Sequence, residues 1–587
     1  FMNKKWTLKK QPDTSQVKEL AEQLNIHEKI ANLLLQRGIE TKEQTEDFFN
    51  PDLSKLHDPF AMCDMDKAVA RIEKAIEGGE KILVYGDYDV DGTTAVALVY
   101  SHLRSFIPED RIDYYVPERY KEGYGISVRG VDYAADNGFS LVIALDCGIK
   151  AVERINYAKS KGVDFIICDH HTPGEQLPSA IAVVDSKRSD CPYPDKNLSG
   201  CGVGFKLMQA LNKRRGGDPT ALYDYLDILA VSIASDIVPM VGENRILAYH
   251  GMKKLNTNPS VGLRSIIKVA KLDDKLKQQD ITVSDVVFKI GPRINAAGRM
   301  KSGKEAVSLL VGTDQKDVQA ISVGIDQANQ ERMELDRKTT EEAIKMIKND
   351  PDYDKQSTTV LFNKEWMKGI VGIVASRLTE EYYRPTVVLT MSQGLASGSA
   401  RSVEGYDLYS AIDSCSDLLE NFGGHMYAAG LTMKEENVPE FKRRFEEYVA
   451  RTITPEQTEP QIEIDEELDI QDITPSFWKQ LRCFEPFGPG NPMPVFQTQP
   501  VYDRGNSCKI GKNMAHLRLE LIGNKNSDTI WGVAFGKGSL YDRIRIKEEK
   551  QEQRVYAPPF KICYNIDENH FNGRTTLQLM IKEIDID

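Results

Sequence analysis

The sequence is poor in three features that mark common classes of protein. Its nine cysteines form no Cys-x-x-Cys pair and no paired metal-ligand spacing, which favours a reducing compartment over a disulfide scaffold. No apolar run approaches the roughly 20 residues that a membrane helix requires. The net charge of −13 excludes a protein that coats nucleic acid through bulk basicity, while leaving room for a local basic groove.

The start of the chain is polar, Met2-Asn3-Lys4-Lys5-Trp6, and forms no signal-peptide pattern. We interpret Phe1 ahead of it as a cloning remnant. We therefore expect a cytoplasmic protein that makes no membrane contact. Because 587 residues exceed what one hydrophobic core usually organises, we also expect several domains.

Three apolar runs of strand length each end in an acidic residue. They lead, in order, into Gly86-Asp87-Tyr88-Asp89-Val90-Asp91-Gly92, Asp146-Cys147-Gly148 and Asp169-His170-His171, and a fourth run ends at Asp185. Short β-branched runs that alternate with helical segments predict a parallel sheet. Ligands of such sheets bind beyond the carboxyl ends of the strands, so we expect these acids and both histidines to share one cleft.

So many carboxylates in one cleft would repel each other unless cations neutralise them. Two metal ions about 3.5 to 4 Å apart can clamp the attacking and leaving oxygens of a phosphoryl displacement. Mixed carboxylate and imidazole ligands fit Mn²⁺, whereas oxygen ligands alone favour Mg²⁺ or Ca²⁺. The residues thus predict a hydrolase with two Mn²⁺ ions, and Mg²⁺ is the second candidate.

Each motif also has a plainer interpretation. Asp-rich turns after strands commonly cap helices, and a His-His pair is more often a surface or core feature than a metal site. The conjunction of three acidic strand ends, one of them with two histidines, favours the metal site. Gly200-x-Gly202-x-Gly204 follows no strand, so we interpret it as a site of tight helix packing rather than a dinucleotide fingerprint.

The pattern along the chain predicts a multidomain α/β protein. We expect a helical N-terminal region, a parallel-sheet catalytic domain, a long connecting helix with a 3-4 apolar stripe, a smaller α/β domain and an all-β module that resembles an OB barrel. The corresponding limits are 1–75, 76–313, 314–350, 351–452 and 453–587.

The chain resembles the DHH phosphoesterase superfamily at Asp169-His170-His171 and, within it, the RecJ family of single-stranded-DNA-specific exonucleases. Further strings that carry this resemblance extend over most of the chain. They are Asp87 to Gly92, Asp146-Cys147-Gly148, Glu122-Gly123-Tyr124-Gly125, Ser235-Asp236-Ile237-Val238-Pro239, Gly291 to Arg299, Gly398 to Ser402, Gly423 to Gly430, and Glu485 to Pro492.

The resemblance implies DHH, DHHA1 and OB domains and a set of metal ligands. The implied ligands of two Mn²⁺ ions are Asp89, Asp91, Asp146, His170 and Asp236, with Asp146 as the bridge between the ions. Three further residues are implied to be catalytic: Asp87 orients these ligands or takes part in the set, Asp169 orients a neighbouring group, and His171 faces the scissile phosphate.

The resemblance also implies residues that hold the substrate. Arg119, Ser399 and Arg401 resemble a pocket for a terminal 5′-phosphate, since an arginine fork donates two parallel hydrogen bonds to phosphate oxygens. His425 matches a further substrate contact, and Arg293 and Arg299 are candidates for the strand path. Either of these last two could instead form a structural salt bridge.

The implied function is a processive 5′ to 3′ exonuclease that degrades single-stranded DNA to 5′-mononucleotides in DNA repair and recombination. A helicase or a single-strand-binding protein is a candidate partner. Two alternatives stay open: a DHH phosphodiesterase for short RNA or cyclic dinucleotides, which the β module disfavours, and a non-catalytic single-stranded-DNA-binding replication scaffold, which the full ligand set disfavours.

Two departures from the family pattern stand out. Where a RecJ-like chain is expected to have Trp-His-x-Gly, this one has Trp366-Met367-Lys368-Gly369, so a contact made by that histidine is in doubt. Some related proteins continue beyond the OB module, and we expect this chain to be a shorter homologue or a truncated form.

Overall fold

The structure is a computed structural model that describes residues 4–523, 529–545, 549–550, 553–554 and 559–586. Phe1, Met2 and Asn3, on which the interpretation of the chain start rests, lie outside these ranges. The chain divides into two compact units. The first unit comprises Leu8–Asp326 and Glu463–Asp587, and the second comprises Phe1–Thr7 and Gln327–Ile462.

The first unit contains the predicted parallel sheet. All of its strands run in the same direction, and apolar clusters cover both faces, which explains why the strands are continuous apolar runs. In spatial order they are Ile112–Tyr115, Lys81–Gly86, Phe139–Leu145, Asp164–Cys168 and Ala182–Val184.

Helices surround this sheet and supply the rest of its core. They are Met65–Glu77, Val90–Leu103, Val128–Asp136, Val152–Ser160, Gly200–Arg214, Leu226–Ser235, Gly242–Thr257, Val261–Val269, Asp273–Leu276, Val283–Asp285, Gly291–Met300 and Gly303–Val311. A π-helical segment, Val286–Ile290, precedes the helix Gly291–Met300.

The β module and the beginning of the chain share one hydrophobic core. Apolar residues of the helices Thr14–Leu24 and Glu28–Gln36 are buried in the same cluster as those of the module, while residues 53–76 pack with the parallel-sheet domain. In the described part of the module eight strands form one sheet: Glu466–Glu467, Phe496–Gln497, Tyr502–Asp503, Cys508–Ile510, His516–Ile522, Thr529–Ala534, Lys561–Phe571 and Arg574–Asp585. Two short strands, Glu549–Lys550 and Gln553–Arg554, pair separately. Further elements of this unit are the helices Lys42–Phe49, Pro475–Arg482 and Tyr541–Ile544.

The second unit holds a five-stranded mixed sheet with helices on its faces. In spatial order its strands are Leu419–Gly424, Ala428–Met433, Leu395–Arg401, Thr386–Ser392 and Thr359–Phe362. Its helices after the connecting helix are Lys368–Tyr382, Leu408–Asp413 and Val438–Thr452.

The predicted connecting helix is Gln315–Lys348. Its 34 residues span about 51 Å at the usual rise per residue, and the division between the two units falls within it. The multidomain α/β fold, with its parallel sheet, long helix and β-rich C-terminal module, is therefore confirmed, while the five domain limits stay predictions. Among the described residues, no helix is both long and apolar enough to cross a membrane.

Candidate metal centre

The carboxyl ends of neighbouring strands bring the predicted acids together. Gly86 pairs with Leu145, Leu145 with Cys168, and Cys168 with Val184. Asp87, Asp146, Asp169 and Asp185 are the next residues along these four strands. The strand register therefore produces the acidic edge that the sequence pattern predicts.

The first acidic loop, residues 87–89, leads into the buried helix Val90–Leu103. The Asp89 carboxylate caps this helix by accepting a hydrogen bond from the Gly92 N–H at 2.7 Å. Asp91, in the first turn, is 1% exposed. It accepts bonds from the N–H groups of Gly200 and Cys201 at 2.7 and 2.8 Å and from the Ser232 hydroxyl at 2.7 Å. These bonds fix the direction of the carboxylate.

His170 lies among three carboxylates. Its Nε2 atom is 3.0 Å from Asp146 Oδ1, 3.4 Å from Asp91 Oδ2 and 3.6 Å from Asp236 Oδ2. Asp236 reaches this position because the helix Leu226–Ser235 ends immediately before it. Two sets of potential ligand atoms are each compact enough for one cation: Asp91, His170 and Asp236 form one, and Asp146, Asp169, His170 and His171 form the other.

The electrostatics of this cluster favour bound cations. Burial, followed by the charges of neighbouring aspartates, raises the pKa of Asp146 far above its ordinary range and that of Asp236 to about 10. The same two causes raise the pKa of Asp89 and Asp87, whereas burial lowers the pKa of His170. The cluster thus resists holding several negative charges without counter-ions.

Orphaned polar atoms provide a test of whether a metal fits. Asp146 Oδ1, Asp87 Oδ2 and His170 Nε2 are buried and have no hydrogen-bond partner among the described residues. A divalent cation accepts lone pairs from such carboxylate oxygens and from a neutral imidazole nitrogen. The donor set therefore fits the two predicted ions.

Asp169 and His171 form a pair beside this cluster. Asp169 Oδ1 accepts from His171 Nδ1 at 2.6 Å, and Asp169 Oδ2 accepts from the Ile149 N–H at 3.0 Å. Burial alone would raise the pKa of Asp169, but the hydrogen bond and charge of His171 and the main-chain donors leave it lowered. Burial alone would lower the pKa of His171, and the bond to Asp169 leaves it raised. The pairing fixes the orientation of the imidazole.

Tyr124 is a site residue to which the sequence assigned no role. Its hydroxyl donates to the main-chain oxygen of Asp146 at 3.0 Å and lies 3.3 Å from His171 Nε2. The flanking Gly123 and Gly125 have φ values of +78° and +86°, a conformation that favours glycine. The Gly-Tyr-Gly string was the available signal for this turn.

Gly200 is a second residue whose role the sequence did not show. A Cβ at Gly200 would lie 2.5 Å from the Cβ of Asp146, whereas one at Gly204 would approach only Val99 and Leu145 at 3.2 and 3.3 Å. The prediction of tight helix packing is thus confirmed at Gly204. At Gly200 the close approach instead lets the helix N-terminus hold the Asp91 carboxylate against Asp146.

Three predicted substrate residues of the first unit lie near the first acidic loop or on a neighbouring helix. The Arg119 guanidinium lies 4.9 Å from the ring centre of Tyr88. Arg293 forms an ion pair with Asp326 at 2.9 Å, the structural role that was its alternative. The main-chain oxygen of Arg299 accepts from the Tyr120 hydroxyl at 2.7 Å. Their roles toward a substrate stay predictions.

The other three predicted substrate residues belong to the second unit. Arg401 Nε donates to Ser376 Oγ at 3.1 Å, and burial lowers its pKa. A Cβ at Gly372 would lie 3.1 Å from Ser399 Oγ and 3.3 Å from a terminal nitrogen of Arg401, so Ser399 and Arg401 share one spot on the sheet. His425 is exposed on a turn. Met367 lies just before the helix Lys368–Tyr382 and packs partly buried against its core.

A parallel sheet whose carboxyl edge joins Asp-His-His to a ring of aspartates defines a DHH-type phosphoesterase. Family models agree: the N-terminal domain of the DHH family matches residues 81–233, the DHHA1 domain matches 355–451, and the RecJ OB domain matches 464–583.

Proteins of similar sequence identify the family within the DHH phosphoesterases. The chain is 37% identical to the single-stranded-DNA-specific exonuclease RecJ of Bacillus subtilis over 99% of this chain and 70% of that protein. It is 31% identical to RecJ of Haemophilus influenzae over 91% and 92% of the two chains. The chain belongs to the RecJ family.

Solved structures agree with this assignment. The crystal structure of RecJ from Thermus thermophilus with Mn²⁺ superposes with a TM-score of 0.81 at 27% identity, covering 99% of this chain and 79% of that one. The same protein has also been solved with Mg²⁺, with a TM-score of 0.75 and 26% identity. Both predicted metals therefore occur in a relative of this chain.

Proposed function

We propose that this chain is a metal-dependent exonuclease that degrades single-stranded DNA from the 5′ end to 5′-mononucleotides, in DNA repair and recombination. The observation that carries the proposal is the position of His170 Nε2 within 3.6 Å of three carboxylates. This donor set suits phosphodiester hydrolysis with two cations. The relatives are named single-stranded-DNA-specific exonucleases, which supports the substrate class.

The proposed ligands of two Mn²⁺ or Mg²⁺ ions are Asp89, Asp91, Asp146, His170 and Asp236. Asp146 would contact both ions. Its carboxylate lies 3.0 Å from His170 Nε2, and burial and the charges of neighbouring aspartates raise its pKa far above the ordinary range. When bound, such ions activate water and neutralise charge on the phosphate. Asp87, which is fully buried two residues before Asp89, would keep these ligands in place.

His171 would stabilise the charge that develops on the scissile phosphate. Its raised pKa and its exposed ring favour a cation that can reach a substrate, and a positioned positive charge there lowers the barrier to phosphoryl transfer. Asp169 would hold that ring in place. Tyr124 would limit the movement of its other face.

The proposed substrate contacts are Arg119, Arg293, Arg299, Ser399, Arg401 and His425. Arginines suit a terminal phosphate because they donate bidentate, charge-assisted hydrogen bonds. The β module would hold the strand by stacking and basic contacts that tolerate any base. The proposed partners are single-stranded DNA with a 5′ end and a helicase or a single-strand-binding protein, and the proposed location is the cytoplasm.

The test is digestion of single-stranded DNA labelled at either end, with Mn²⁺ or with Mg²⁺, by the wild type and by Asp146→Asn. We expect the wild type to shorten the strand from its 5′ end and to release mononucleotides. Asp146→Asn should lose at least about a thousandfold in kcat, since it removes a ligand on which the activation of water depends.

Three results would contradict the proposal. Activity that Asp146→Asn retains would remove the two-metal model. Hydrolysis of only short RNA or cyclic dinucleotides would assign the chain to another DHH activity. Binding of single strands without hydrolysis under any metal would assign it to the non-catalytic class.

A further inference from the structure

The proposed metal ligand Asp236 lies in a loop with a strained backbone. This Asp236 loop, residues 236–241, joins the helices Leu226–Ser235 and Gly242–Thr257. Ile237, next to the ligand, has a φ of +55° and is 66% exposed, a strained conformation for a β-branched residue. Val238 and Met240 are buried in the core of the parallel-sheet domain, and the Pro239 carbonyl accepts a hydrogen bond from Asn244 Nδ2 at 3.0 Å. The domain itself therefore holds one side of the loop, and a second support lies outside that domain.

A turn from the β module provides this support. In this turn, residues 483–491, the Pro489 carbonyl accepts a hydrogen bond from the Met240 N–H at 2.6 Å. A Cβ at Gly490 would lie 3.3 Å from Val241 Cγ1 and 3.6 Å from Pro239 Cβ. The tip of the turn therefore rests directly against the end of the Asp236 loop.

Asn491 makes this turn rigid. It is 1% exposed, and its Nδ2 group donates to the carbonyls of Phe484 and Pro486 at 2.8 and 3.1 Å. Its main chain exchanges two hydrogen bonds with Gly488 at 3.0 Å. The turn can therefore transmit a fixed position to the residues that it contacts.

Arg245 anchors the turn to the helix that follows the Asp236 loop. The side chain is 4% exposed, and its six hydrogen bonds all go to main-chain carbonyls. The acceptors are Phe48 at 2.8 and 3.2 Å, Phe484 at 2.8 Å, Glu485 at 3.1 Å, and Cys483 and Pro486 at 3.3 Å. The guanidinium also lies 3.9 Å from the ring centre of Phe48.

Holding the helix and the turn together with a buried arginine costs desolvation free energy. Burial lowers the pKa of Arg245 to about 10, and a buried cation needs every donor satisfied to remain charged. A well-packed apolar residue would join the same surfaces with less desolvation. The hydrogen bonds of the guanidinium, however, are directional. They fix the turn against the helix in one position, whereas apolar contacts do not.

We propose that Arg245 is a positioning residue for the metal centre, acting through residues 483–491 on the Asp236 loop. The inference rests on the proposed function, because it assumes that Asp236 ligates a metal ion. Arg245 fixes the turn, the turn fixes Met240, and the loop then presents the Asp236 carboxylate to the position beside His170. The β module thereby contributes to the metal centre without a ligand of its own.

The test is direct Mn²⁺ binding, measured by electron paramagnetic resonance of free Mn²⁺ without any substrate. Arg245→Met keeps much of the side-chain volume but removes the six bonds. Its matched control is Arg71→Met, because Arg71 is a buried arginine, 8% exposed, that pairs with Glu80 and Asp164. We expect a Kd for Mn²⁺ about tenfold weaker in Arg245→Met, the low end for an outer-shell change, and unchanged in Arg71→Met at a similar loss in Tm.

A second pair of variants covers the case in which Arg245→Met does not fold. Gly490→Ala inserts a methyl group between the turn and the Asp236 loop. Gly162→Ala introduces the same backbone strain, at a φ of +74° against +76°, with no atom within 4 Å of the new Cβ. We expect weaker Mn²⁺ binding only in Gly490→Ala.

Two results would overturn the inference. If the wild type binds Mn²⁺ and both Arg245→Met and Gly490→Ala bind it equally well, the positioning role is wrong and the proposed function stands. If the wild type binds no Mn²⁺, the proposed function fails and the inference fails with it.

Discussion

Asp169 Oδ1 and His171 Nδ1 are 2.6 Å apart, while the other ring nitrogen of His171 lies 3.3 Å from the Tyr124 hydroxyl. The imidazole is thus held from both sides although 45% of its side chain is exposed. The buried Asp169 carboxylate thus orients an accessible imidazole. Such an arrangement is suitable for an imidazole that must approach a substrate from one direction.

Asp169→Asn should lower kcat by about a hundredfold or more, because His171 loses the charge partner that orients it and stabilises its cationic form. The Kd for Mn²⁺ should change much less. Steady-state kinetics combined with Mn²⁺ titration would separate the two effects. In a His171→Ala background the same substitution should cost little more, since the two residues act as a unit; additive losses would contradict the pairing.

Gly200→Ala should abolish Mn²⁺ binding, because the new methyl group would overlap the Asp146 side chain at about 2.5 Å. Gly202→Ala in the same helix is the matched control: its Cβ would meet its nearest neighbours at 3.4 Å and beyond, and alanine favours a helix. Metal titration and thermal unfolding of both variants would check this. Normal Mn²⁺ binding by Gly200→Ala would be incompatible with the close approach.

The metal-free protein should lose stability as the pH rises. Burial and then the charges of Asp91 and Asp89 raise the pKa of Asp236 to about 10, whereas an unfolded aspartate titrates near 3.9. Between these values the folded state binds more protons than the unfolded state, so rising pH favours unfolding. The contribution of Asp236 is at most about 1.4 kcal/mol per pH unit, the value for one proton.

Denaturant unfolding with a chelator at pH 6 and at pH 9 would measure this loss. Asp236→Asn should reduce the loss, and saturating Mn²⁺ should reverse it, because a bound cation favours the ionised carboxylates. A metal-free protein that is equally stable at both pH values would show that the site carries no such repulsion.

Arg401→Ala should reduce kcat/KM on 5′-phosphorylated strands by about tenfold to a hundredfold, the value of a charge-assisted hydrogen bond. The effect on 5′-hydroxyl strands should be much smaller. Arg443→Ala is the control, because Arg443 is exposed and pairs with Glu440 and Glu447 on its own helix. Equal losses on both substrates would argue against a phosphate contact.

The parallel sheet, its acidic edge and the long helix could be predicted from the amino-acid sequence. These follow from local patterns: β-branched runs form strands, and parallel strands bring the residues after them to one edge whatever the rest of the chain does. Asp87, Asp146 and Asp169 could therefore be predicted as neighbours from the spacing of residues alone. Asp236 and the substrate residues could be assigned only from motifs that resemble those of the family, because no local pattern connects these residues to the acidic edge of the sheet.

The contacts that hold these acids in place appear only in the folded chain. The contact of Gly200 with Asp146, the bond from Tyr124 to the Asp146 carbonyl and the support that Pro489 gives to Met240 join residues that are far apart in the sequence. The hydrophobic core that the N-terminal helices share with the β module also joins residues that are far apart in the sequence. Such contacts depend on how whole elements pack, and packing is set by shape and burial over the entire domain rather than by the spacing of residues in one segment.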